Sequence, residues 1–85
     1  MMRYIYTRAA NENMDVWDVS PSLVQDIVAK ETRRRRGREY MVGRVVAGRL
    51  VTVRFAVLGE TETLIINIHV TTSKRAIRRH RAEGE

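Results

Sequence analysis

Residues 38 to 72 constrain the fold more than any other part of the chain. Aliphatic and polar side chains alternate there with a period of two, and the run is broken only at Ala-Gly, 47–48, and Gly-Glu-Thr-Glu, 59–62. Connections this short join neighbouring antiparallel strands, so segments 38–46, 49–58 and 63–72 form a meander. In the middle strand Val51, Val53, Phe55 and Val57 share one face, and Thr52, Arg54 and Ala56 the other. In the last strand, strict alternation sets Leu64, Ile66, Ile68 and Val70 against Ile65, Asn67, His69 and Thr71, and assigns the first set to the core. The strand that begins at Arg38 carries aliphatics on both faces, which leaves its parity open.

Upstream the pattern is mostly helical. Arg3 to Tyr6 is a short β-prone segment with Tyr4 and Tyr6 on one face and Ile5 on the other. Thr7 is placed to cap a helix from Arg8 through Met14. In "VSPSLVQDIV", Ser20 is an N-cap, Pro21 the first helical residue, and Val19 with Val24 a hydrophobic staple. Leu23, Val24, Ile27 and Val28 then form an apolar stripe. After the last strand Ser73 caps "KRAIRRHRA", a segment whose apolar side chains are Ala76, Ile77 and Ala82; so short a helix persists only if it docks. The order β-α-α-β-β-β predicts an α+β domain over residues 1–85, with two helices packed on an antiparallel sheet and a basic tail or short helix at 73–85. A chain of 85 residues has room for one such core.

The charge is uneven. Lys and Arg number sixteen against ten Asp and Glu, for a net charge of +6, and all but Lys30 and Lys74 of the cations are arginine. Arginine's planar fork suits phosphate and carboxylate, so a polyanion or an acidic protein is the expected partner. "ETRRRRGREYMVGR", residues 31–44, holds one cluster: Arg33, Arg34, Arg35, Arg36 and Arg38. Lys74, Arg75, Arg78, Arg79 and Arg81 form another. Two clusters flanking one sheet suit a groove that follows a phosphate backbone. The chain has no cysteine, which removes disulfides and thiolate chemistry and suits a cytoplasmic protein. The start "MMRYIYTRAA" lacks the apolar run of a secretory signal, and no stretch approaches the roughly 20 apolar residues of a membrane span. The acidic residues lack metal-ligand spacing and no glycine pattern forms a nucleotide loop, so neither metal nor cofactor is expected.

"AANENMDVWDVS" resembles the first-helix signature of a small uncharacterised bacterial family related to the RelE and BrnT toxins of toxin-antitoxin systems. Ala10, Met14, Val19 and Ser20 stand at that family's packing and capping positions. Ala9 replaces its usual His, and Asn13 and Trp17 stand where it often has Arg. "INIHVTTSKRAIRRHRAEGE" is similar to the close of those domains. The resemblance implies a RelE-like fold, a site on the exposed sheet face or its rim, and either an RNA or ribosomal target or an acidic antitoxin partner.

Metal-independent RNA cleavage needs an acid and a base, and cations to stabilise the charge that develops on phosphorus. His69 is the histidine that falls in a strand, and alternation places it with Asn67 and near Arg54, opposite the core. It is the candidate acid or base, with Arg54 or Arg44 as phosphate clamp and Tyr40 as a hydrogen-bonding or stacking group. The leading expectation is therefore a toxin-like RNA-binding protein, and an mRNA endoribonuclease if this set assembles. The alternative is a non-catalytic nucleic-acid-binding or protein-inhibiting module on the same scaffold.

Overall fold

The computed structural model describes residues 1–31 and 34–84. The elements run β1 (Arg3–Tyr6), α1 (Arg8–Trp17), α2 (Pro21–Lys30), β2 (Arg34–Arg36), β3 (Glu39–Val46), β4 (Arg49–Val57), β5 (Glu62–Thr71) and α3 (Lys74–Gly84). The capping signals act as the sequence predicts. Thr7 Oγ1 accepts from the Ala10 amide at 3.1 Å, Ser20 Oγ from Leu23 at 3.1 Å, and Ser73 Oγ from Ala76 at 3.3 Å. The α+β class holds.

The five strands lie in the order β1-β5-β4-β3-β2. Two features depart from the expected antiparallel sheet. First, β1 pairs with β5 in parallel, Ile5 opposite Leu64, so the sheet is mixed. Second, Arg34–Arg36, which lies in the first arginine cluster and outside the three strands of the expected meander, is an edge strand that pairs with β3 through a two-residue turn at Gly37 and Arg38. Gly37 supplies the positive φ (63°) that this turn requires. A like-charged run is a poor signal for a strand, and only the pairing to β3 makes it one.

Side chains paired across β3, β4 and β5 build the core. Val42, Val53 and Ile68 form one rung, and Tyr40, Phe55 and Ile65 another. Val51, Val53, Phe55 and Ile65 are fully buried, and so are Ala10, Val24 and Ile27 from α1 and α2. In β5 strict alternation fails, because the buried residues are Thr63, Ile65, Ile68 and Val70 rather than Leu64, Ile66, Ile68 and Val70. The register slips between Arg54 and Phe55: Arg54 faces Asn67 but Phe55 faces Ile65, so Ile66 is an extra residue in a β-bulge. The bulge inverts the parity of the first half of the strand. Thr7 Oγ1 donates to the Ile66 carbonyl that the bulge exposes.

The other face of the sheet carries Gly43, Thr52 and His69 in one rung, and Val45, Leu50 and Thr71 in the next. It is covered in part by α3. A Cβ at Gly43 would stand 3.1 Å from His80 Cε1 and 3.3 Å from Leu50 Cδ1, so the missing side chain is the socket for the helix. Leu50 is buried there, outside the main core. The architecture is thus a sheet with α1 and α2 on one face and α3 on the other, the short C-terminal helix docking as a third layer.

Phe55→Ala removes the largest fully buried side chain. It is expected to lower unfolding free energy by about 3–5 kcal/mol in denaturant titration, a large part of what a domain this small possesses.

Candidate nucleic-acid interface

The sheet divides the four candidate catalytic residues into two pairs. Tyr40 and Arg44 share the register of Val42 and so face α1 and α2, whereas Arg54 and His69 lie on the α3 face. Tyr40 stacks on Phe55, with ring centroids 5.5 Å apart, and packs against the core. Arg44 is clasped by carboxylates. Its Nη1 donates to Asp26 Oδ2 at 2.7 Å, and its Nε and Nη2 donate to Glu31 Oε2 at 3.0 and 2.9 Å. Its side chain is only 23 % exposed, so it ties α2 to the sheet instead of facing solvent. Sequence reasoning missed this role because Asp26 and Glu31 are far from Arg44 in the chain, and because an arginine on the core side of β3 is what made that strand's parity unreadable.

On the opposite face His69 is exposed. Asn67, expected beside it, is held elsewhere: Asn13 Nδ2 of α1 donates to Asn67 Oδ1 at 2.6 Å, and the Ile68 amide donates to the same oxygen. Arg54 Nε lies 3.4 Å from Glu39 Oε1. The expected cluster around His69 is therefore not assembled as a set.

The Asp26 carboxyl is held below the ordinary aspartate value, first by its hydrogen bond with Lys30 and next by that with Arg44. Asp26 in turn is the main reason the Arg44 guanidinium is raised above its ordinary value. A carboxyl depressed by folding stabilises fully above its unfolded value, about 4, and this contribution vanishes as pH falls through the lower folded value.

Ion pairing sorts the cations. Arg3 lies 3.9 Å from Glu62, Arg8 3.0 Å from Glu12 and Lys30 2.8 Å from Asp26. Arg49 Nη1 donates to the Trp17 carbonyl at 2.7 Å, where α1 ends. Along α3 the situation is reversed: among the described residues no carboxylate pairs with Lys74, Arg75, Arg78, Arg79 or Arg81, all of them exposed. Ala76, Ile77 and His80 are half-buried on the side of α3 that meets the sheet. At about 100° per residue these three fall on one side, and the five cations spread over the remaining arc of about 160°.

Of the first arginine cluster, Arg35 and Arg38 are exposed, and Arg35 Nε donates to the Gly37 carbonyl at 2.9 Å. Arg34 and Arg36 are placed by backbone pairing to Met41 and Glu39. Arg33 lies outside the described residues. Thus β2 and its turn put Arg35 and Arg38 at the sheet edge next to β3, while α3 brings His80 over Gly43 of the same β3. No helix of the described residues is long and apolar enough to cross a membrane. No protein-family model, curated protein or solved structure matches the chain.

Two outcomes test this geometry. The melting-temperature gap between wild type and Asp26→Asn is expected to be widest near neutral pH and to close below about pH 4, and a gap that does not change with pH contradicts the clasp. Gly43→Val thrusts a branched side chain at His80 and Leu50, so hydrogen exchange in α3 should accelerate while β4 and β5 stay protected.

Proposed function

We propose that this protein is a non-catalytic nucleic-acid-binding module that grips phosphate through α3, with the turn at Gly37 and Arg38 as an outlying contact. One observation carries the reading: among the described residues no carboxylate pairs with any of the five cations on this short helix, whereas Arg3, Arg8, Lys30, Arg44 and Arg54, on the rest of the domain, each have one. Like charges this close repel, and a polyanion relieves the repulsion and releases its own counterions as it binds. The resemblance to RelE- and BrnT-type toxins agrees with a polyanionic target. It gives no added weight to cleavage, because Tyr40 and Arg44 are engaged on the face away from His69 and Arg54.

Five phosphate contacts correspond to a slope of about −4 to −5 in log affinity against log salt, or roughly 500-fold weaker binding at 200 mM than at 50 mM. Replacing Arg75, Arg78 and Arg79 by Gln is expected to flatten that slope and weaken binding at least tenfold in fluorescence anisotropy. His69→Ala should leave affinity unchanged, and labelled RNA incubated with the protein in chelator should stay full length. Shortened RNA that depends on His69 would replace this reading with the nuclease, and a His69→Ala loss without cleavage would move the contact to the open sheet.

A further inference from the structure

Resting on the phosphate-binding reading, we infer that the polymer α3 fits is duplex DNA, with the helix laid in the major groove and Arg78 at its leading edge. The helix is mounted for insertion. It meets the sheet through the side that carries Ala76, Ile77 and His80, and Gly43 lets it sit there without an intervening side chain. The opposite side is therefore its most protruding part. At about 100° per residue the middle of that side is held by Arg78 and by Ala82, whose small side chain adds little bulk.

The cations flank this ridge in two rows. Lys74 and Arg81 lie to one side of Arg78 and Arg75 and Arg79 to the other, each row repeating at helical spacing. A helix that follows a single strand needs one row. Two rows on either side of a central arginine match two walls of phosphate with base edges between them, where an arginine can donate in bidentate fashion to guanine. Groove width then selects the polymer. A helix with side chains is about 10–12 Å across, which the roughly 12 Å major groove of B-form DNA admits, whereas the major groove of A-form RNA is too deep and narrow for side chains to read. Single strands are recognised largely by stacking on aromatic rings, and the ring in α3, His80, is turned toward Gly43 of the sheet.

The test compares affinities at one salt concentration for double-stranded DNA, double-stranded RNA, single-stranded RNA and single-stranded DNA of equal length, each duplex about two helical turns long. Double-stranded DNA is expected to bind at least tenfold tighter than the other three. Methyl green, which occupies the major groove, should compete, and a minor-groove dye should not. Arg78→Gln should cost more on double-stranded DNA than on single-stranded RNA, whereas Arg38→Gln, at the turn, should cost the same on both. Circular dichroism of each variant separates lost contact from lost fold. Equal affinity for the two duplexes, or preference for a single strand, overturns the groove assignment and leaves phosphate binding standing. Failure to bind any of the four at low salt overturns both.

Discussion

The central strand β4 carries apolar side chains on both of its faces, and each draws a covering layer. One side of it, Val51, Val53 and Phe55, is sealed by α1 and α2; the other side presents Leu50, which is apolar and reaches only 8 % exposure because α3 lies over it. Covering the second face draws α3 onto the sheet. Once Ala76, Ile77 and His80 are committed to that contact, helical geometry turns Lys74 and the four arginines outward. The concentration of charge follows from how the sheet is closed.

The same closure explains the distribution of ion pairs. Arg44, half-buried beneath α2, has Asp26 and Glu31, and the more exposed Arg54 has Glu39. A half-buried charge needs such partners, because desolvation otherwise penalises it. Solvated cations on α3 need none for folding, and their mutual repulsion is a cost that a bound polyanion offsets.

Much of this architecture is legible in the sequence. The caps at Thr7, Ser20 and Ser73, the meander from β3 to β5 and the buried face of β4 from Val51 to Phe55 follow from side-chain chemistry and period, whereas Val57, on that face by period, is exposed at the end of the strand. What stayed hidden was set by pairing between distant segments. Ile66 looks like an alternating core residue, and only its misfit against β4 identifies the bulge. Arg34–Arg36 becomes a strand through β3, and β1 takes its direction from β5. In the candidate site, charge along one helix was legible, since the cations expected on the last segment are exposed on α3. It was misgrouped where it depended on facing: Tyr40 and Arg44 were placed with His69 because the parity of β3 is masked by aliphatics on both sides, and Asn67 because the bulge and Asn13 redirect it.

Amide chemical shifts recorded with and without a short nucleic-acid duplex test the central claim most directly. The account predicts that the largest changes fall in α3, from Lys74 to Arg81, with smaller ones at Gly43 beneath His80 and at the turn of Gly37 and Arg38, while α1 and α2 stay silent. Changes centred on α1 and α2 and absent from α3 would contradict it.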